Sequence, residues 1–397
     1  MYTTRANMAF VITVLSSISL LLTVRFGTIA AAGFVGLWVL YFVAWPAAID
    51  VFFRTSLPWL LPLFALASYT WSEIPNASAR NATEWLATVA VGVAMASVVP
   101  IERLLIAWML ALIPVVIVGG LIGGSQFTES GEYAMTGLFG SKNNFALHIS
   151  EMFFVCCAVL ANARQARLWR FVAFFACIAA LLLLWRAKSV GALVVFVPSL
   201  LTMGAIIGLS GISRHRRGIV VIGTLFIGLL SLAVIAPVVV QSQDAMLSSV
   251  GKTENLTGRG LLWRRAGVLI EQRPALGVGY SAFWVQGNPE AEALWQAENI
   301  PSRGGFHFHS FYYETLIELG YIGMIVALVV LIPTSIAVLA WGVRQPGPES
   351  GFFCGIMMFL WLRSFVELDL LGGFALNTLL VPVAWVAAMR GGRQCQR

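Results

Sequence analysis

The stretch that decides how this chain is read runs from Gly251 to Gly323: GKTENLTGRGLLWRRAGVLIEQRPALGVGYSAFWVQGNPEAEALWQAENIPSRGGFHFHSFYYETLIELGYIG. It is the one long polar interruption in a chain otherwise built of apolar runs. It carries two of the four histidines, His307 and His309, and six basic residues, Lys252, Arg259, Arg264, Arg265, Arg273 and Arg303. On either side the sequence reads as bilayer-spanning helix. Of 397 residues, 59% are hydrophobic and 11% charged, far from the roughly 25% charged of soluble proteins. The chain is therefore expected to be an all-α polytopic membrane protein with one integral-membrane domain over 1–397 and a large outer loop over 241–310.

A span needs about 20 apolar residues, which predicts about twelve helices. They are placed near 8–24, 28–47, 57–70, 85–100, 103–124, 143–162, 168–186, 189–210 and 218–240 before the loop, and near 311–341, 351–369 and 374–389 after it. The basic clusters in 161–170, SRHRRG (213–218) and RGGRQCQR (390–397) fall on the side that also holds Met1. Short cytoplasmic loops are enriched in Lys and Arg, so both termini are expected in the cytoplasm. The net charge of +7 is assigned to this bias rather than to nucleic acid. The first apolar run has no small-residue cleavage site after it and is expected to be a retained span. The five cysteines have no metal-ligand spacing.

The basic residues that break the bias converge on the outer face: Lys142, Arg186, Lys188, Arg259, Arg264, Arg265, Arg303 and Arg363. A basic group inside a span costs roughly 2.5–3.5 kcal/mol. RAKS (186–189), which interrupts two apolar runs, therefore points to an anionic ligand, with snorkelling to the interface as the plain alternative for any single residue. In TGRGLLWRRAGVLIEQRP (257–274), Leu261, Leu262, Ala266, Leu269 and Ile270 oppose Arg259, Arg265 and Gln272, the pattern of an amphipathic helix lying on the membrane surface. Planar arginine donors match phosphate oxygens, so Arg259 and Arg265 are candidate diphosphate ligands.

His309 stands where the loop re-enters the membrane. Imidazole titrates near neutrality and serves as a general base, a role weighed evenly against that of a helix-capping histidine. His307 ranks second. Glu314 and Glu318 share one helix face, and Glu318 is expected to pair with a basic group or to orient the histidine. Glu367 and Asp369, near Arg363, make a similar case. No acidic metal motif, P-loop or GxSxG elbow is present. The chemistry left is metal-independent, with no cofactor.

These motifs, in this order, resemble those of the superfamily of bacterial O-antigen ligases and O-antigen or exopolysaccharide polymerases. The resemblance rests on TWSEIPNASARNA (70–82), GLFGSKNNFALHIS (137–150), RAKSVGAL (186–193), LTGRGLLWRRAGVLIEQRPALGVGYSAFW (256–284) and FHSFYYETLIELGYIG (308–323). The SKNN and GYSAFW forms are closest to the exopolysaccharide polymerase branch. Many members have Arg after the serine of the third motif; here Val190 follows Ser189, which leaves Arg186 or Lys188 to supply the charge.

The resemblance implies a fold similar to the GT-C membrane glycosyltransferases of the bacterial inner membrane, with a site facing the periplasm. It implies an undecaprenyl-diphosphate-linked glycan as donor, held by Arg259, Arg265, Arg186 or Lys188, with Lys142, Asn143 and His307 in the substrate site and His309 and Glu318 in the catalytic role. An acceptor glycan, the lipid bilayer and a chain-length regulator are the implied partners. The alternatives are ligation to a lipid A core, or transport of the same lipid-linked glycan.

Overall fold

The computed structural model describes residues 2–127, 133–220 and 259–394, with the side chains of residues 2, 3, 190, 259, 261 and 392–394 excepted. Residues 221–240 of the span expected at 218–240, and the start of the expected outer loop, 241–258, lie outside the described residues. Helices dominate, as a bilayer requires: only a helix satisfies each backbone group within its own segment. In order they are α1 (Tyr2–Leu21), α2 (Thr23–Ala44), α3 (Leu60–Ala67), α4 (Pro75–Val98), α5 (Ile101–Ile122), α6 (Lys142–Ala161), α7 (Arg167–Ala187) and α8 (Val190–Gly208). Then follow α9 (Arg259–Gln272), α10 (Pro289–Ala297), α11 (Phe311–Arg344), α12 (Pro348–Arg363) and α13 (Leu376–Gln394).

Seven of the described helices are long and apolar enough to span a bilayer, or eight if the bent pair Pro46–Arg54 and Leu57–Thr70, turned by 83°, is one span. The expected count of about twelve included shorter helices such as α12 and a segment outside the described residues. Two further departures from the expected pattern are local. The polar WSEIPNASARNATE segment does not delay its helix until residue 85, because Pro75 at the first helical position starts α4 ten residues earlier. Between α5 and α6 a small antiparallel hairpin forms, β1 (Gly124–Phe127) against β2 (Tyr133–Gly137).

Buried α6 lies at the centre, packed against α5, α7, α8 and α12. Close approach of α8 and α12 depends on small residues, as in other membrane helix pairs. A Cβ on Gly351 would meet Ile207 Cγ1 at 2.6 Å, and one on Gly355 would meet Met203 Cβ at 2.9 Å.

Hydrogen bonds lock the bundle at both ends. At the arginine-rich end, Asn162 donates to Glu349 (2.8 Å), Arg217 to the Arg344 carbonyl (3.3 Å) and Gln345 to the Gly391 carbonyl (2.9 Å). The opposite end gathers the sequence motifs. There the chain after α9 makes a tight turn at Pro274–Tyr280 that docks into a break in α11. Gly320 leaves the helical region (φ 66°, ψ −170°), which frees the N–H of Tyr321 to donate to the Pro274 carbonyl (2.7 Å) and that of Ile322 to the Ala275 carbonyl (3.1 Å). Val278 and Gly279 donate back to the carbonyls of Ile317 and Glu318, each at 2.9 Å.

The Trp-Ser segment closes the other side of this turn. Trp71 Nε1 donates to the Leu276 carbonyl (3.0 Å), the Glu73 N–H to Val278 (3.0 Å) and the Ser78 hydroxyl to Tyr280 (2.6 Å), while Arg273 pairs with Glu73 (2.7 Å). Three motifs separated in sequence are therefore one backbone joint. A Cβ at Gly320 would fall 2.3 Å from the Ala275 carbonyl carbon and oxygen, on top of a φ that L-residues resist. Gly320→Ala is expected to cost ~3 kcal/mol of stability, read as a lowered melting temperature in detergent. An unchanged melting temperature would contradict the joint.

Candidate active site

Residues 259–310 form a cap with its own core. Leu262, Ala266, Leu269 and Ile270 of α9 are buried against Phe283, Leu294, Trp295, Phe308 and Ile317. The apolar face expected to lie on the membrane surface is thus packed on protein: the stripe has α10 and α11 to bury it. Cap and bundle meet at His309. Trp263 Nε1 donates to the Phe308 carbonyl (2.8 Å) and its ring stacks on Tyr313 at 5.6 Å. The buried Glu314 carboxylate accepts the Phe308 N–H (2.9 Å). Both contacts fix the backbone one residue before His309.

His309 itself has φ 50°, the left-handed region that a non-glycine residue enters at a cost. Its N–H donates to His307 Nδ1 (3.0 Å), and the two rings lie 4.2 Å apart. The turn aims the His309 ring at the segment between α12 and α13. There His309 Nδ1 faces Glu367 Oε2 across 3.8 Å and has no hydrogen-bond partner among the described residues. That gap is an ion-pair distance rather than a hydrogen bond.

Glu367 connects the histidine to the other motifs. Its Oε1 accepts from Asn143 Nδ2 (2.7 Å), and Asn143 Oδ1 accepts from the Ser189 hydroxyl (3.0 Å). Asn143 stands in the first turn of α6, whose N-cap Ser141 accepts the Asn144 N–H (3.1 Å). Ser189 caps α8, right after Lys188 at φ 49°. The SKNN, RAKS and FHFHS motifs therefore meet at Glu367. Burial alone would push the Glu367 carboxyl up; the facing His309 ring, the Arg363 guanidinium and the His307 ring outweigh it and hold the group down at about 2. Arg363 is itself buried, paired with Asp369 and set over the Phe359 ring at 5.6 Å.

The sequence candidates divide by place. His309, His307 and Asn143 are together, with Lys142 beside Asn143 at the start of α6. Arg186 is exposed at the end of α7 and Lys188 at the turn that leads to Ser189. Arg259 opens α9 four residues before Trp263, and its side chain is outside the described ones. Arg265 is held by Glu290 of α10 through contacts of 2.5–3.0 Å, which makes it a fastener of the cap. Glu318 faces the Tyr280–Ser281 turn, and the carboxylate found beside His309 is that of Glu367. His148, bonded to Glu151 (2.7 Å) and set against Phe139 at 4.3 Å, was not singled out. A histidine in an apolar span with a glutamate three residues on was the available signal.

One group among the described residues has ligand atoms converging as a cation would need: His307, His309 and Glu367, within 4.8 Å of one another. Asn143 already occupies Oε1 of the carboxylate, and the Arg363 charge acts on the same group.

Fold and site together define a multi-pass, predominantly helical membrane protein with a histidine–carboxylate centre at the end of the bundle opposite its basic clusters, covered by a cap that belongs to the same chain. Residues 146–328 match the family described as O-Antigen ligase. The chain is 29% identical over 368 residues to the exopolysaccharide production protein ExoQ of Rhizobium meliloti (strain 1021), an alignment covering 90% of this chain and 82% of that relative. The resemblance to the O-antigen ligase and exopolysaccharide polymerase superfamily holds on both comparisons. The family match takes in Arg186, Ser189, Arg259, His307 and His309, and ends before Glu367.

Proposed function

We propose that this protein is a membrane glycosyltransferase that polymerises undecaprenyl-diphosphate-linked oligosaccharide repeat units into exopolysaccharide at the periplasmic face of the inner membrane. The observation that carries this reading is the line Ser189–Asn143–Glu367, with His309 facing its end. It gathers three separate motifs into one site with a base, an anion to orient it and basic residues alongside. The basic clusters at the far end of the bundle support a cytoplasmic placement of that end and a periplasmic one for His309. The exopolysaccharide role of the ExoQ relative supports a growing glycan as acceptor rather than a lipid A core.

In the proposed reaction an acceptor hydroxyl oxygen attacks the anomeric carbon of the donor, and its proton passes to His309. The bond from that carbon to the diphosphate oxygen breaks, and the electron pair leaves with the lipid diphosphate. One displacement inverts the anomeric carbon. With Nδ1 turned to Glu367, Nε2 is the nitrogen that takes the proton, and the anion stabilises the imidazolium that forms. Arg259, with Arg186 or Lys188, neutralises the leaving diphosphate, a fixed-charge stabilisation that needs no metal.

The donor side is tested by exchanging arginines within α9. Arg259→Ala is expected to lower donor use by about tenfold, through loss of a charge-assisted contact, while Arg264→Ala changes it by less than about twofold. Arg259→Lys should recover only part, since a point charge lacks the paired donors. Equal effects of Arg259→Ala and Arg264→Ala would overturn the assignment and leave both as headgroup anchors.

A further inference from the structure

A cavity of about 220 Å³ opens beside the histidine–carboxylate centre, between the α1–α2 junction, α6 and the segment that leads into α13. Asn144 and His148 line it from α6, Asn377 from α13, and Glu367, Asp369 and His307 from the loops. Leucines of α1, α6 and α13 and the Phe374 ring make its apolar walls. The volume lies below the roughly 300–1,000 Å³ of drug-sized sites and is on the scale of a single sugar ring.

Charge decides what the cavity takes. No lysine or arginine lines it, and of its two carboxylates Asp369 is already paired with Arg363, so the lining offers a diphosphate no basic ligand. Arg186 and Lys188 stand beside Ser189, at the far end of the Ser189–Asn143–Glu367 line. A neutral polyol fits instead: hydroxyls can donate to the carboxylates and exchange hydrogen bonds with amides, while an apolar ring face meets sugar C–H groups. Asn377, only 6% exposed, lines the cavity from α13, and its amide offers a donor and an acceptor to a hydroxyl there. His307 joins this cavity to the base, because its ring lies 4.2 Å from that of His309.

We infer that this cavity binds the terminal sugar of the acceptor glycan and presents its hydroxyl to His309 from the side opposite the donor diphosphate. The inference rests on the glycosyltransferase reading above and extends it. It assigns acceptor recognition to Asn144 and Asn377, and so to the start of α6 and of α13 together with the α1–α2 junction.

The test uses the purified full-length protein with a soluble, reducing-end-capped repeat unit of the polysaccharide as acceptor. Asn377→Ala and Asn144→Ala should each raise the acceptor KM by about tenfold, the loss of one hydrogen bond to a hydroxyl. The donor KM and kcat at saturating acceptor should stay within about twofold. Asn144, exposed at the helix start, keeps the test valid if the buried Asn377 variant folds poorly. Titration of the same soluble glycan onto the protein without donor should show the same tenfold weakening, independent of turnover. An unchanged acceptor KM in both variants, or a rise in donor KM instead, would overturn the inference. Weakened glycan binding in a protein that transfers nothing would uphold the cavity and overturn the enzyme reading.

Discussion

His309→Ala is expected to lower polymer formation by about 10²- to 10⁴-fold, the usual cost of removing a general base. The variant should stay inserted and folded and should bind lipid-linked donor, because the proposed donor contacts are those of the basic residues. The loss is in kcat, the signature of an interaction needed in the transition state. His307→Ala is expected to cost less, about tenfold, since the ring that accepts the His309 N–H supports the strained turn without taking the proton. Activity of His309→Ala within about threefold of wild type would exclude the role. A larger loss in His307→Ala than in His309→Ala would move the base by two residues.

Glu367→Gln is expected to lower the plateau rate by about 10²-fold, the scale seen when a carboxylate that orients a functional histidine is removed. The rate it contributes should not vary with pH in the working range. A carboxyl held down at about 2, below its ordinary value of about 4.3, makes its full contribution above that ordinary value and loses it only as pH falls through about 2. Glu367 is therefore an anion throughout the working range, and the rate lost in Glu367→Gln should be the same at every pH above about 4.3. A loss confined to part of that range, or no loss, would contradict a fixed anion at this position.

Composition was enough to give the helical membrane fold, because a chain this apolar has few ways to satisfy its backbone in lipid. Period and length placed most helices within a few residues of where they lie. The hairpin before α6 and the early start of α4 were missed because both are polar and short, and tertiary contacts rather than apolar length decide such segments. The apolar stripe of α9 was visible, but what covers it was not: a stripe suits a bilayer or a protein core equally well, and here Ile317, Leu294 and Phe308 fill it.

The same limit applied at the site. His309 and Asn143 could be singled out by type and position. The carboxylate beside the histidine was expected from its own helix, as Glu318, and Glu367 provides it from 58 residues further along the chain. Pairing across such a separation leaves no spacing to read. The hint was thermodynamic: Arg363, Glu367 and Asp369 close together at an apolar helix end need one another. The Gly277, Gly279 and Gly320 motifs likewise made physical sense once the turn at Pro274 was found against the break in α11.

The most direct test of the central claim is reconstitution of the purified protein in liposomes with undecaprenyl-diphosphate-linked repeat units as the only glycan, followed by separation of the lipid-linked products by length. The account predicts elongated lipid-linked glycans, one undecaprenyl diphosphate released for each repeat added, and neither product with His309→Ala. Donor that crosses the bilayer at its original length, with no new glycosidic bond and no lipid diphosphate released, would contradict it and make the protein a transporter.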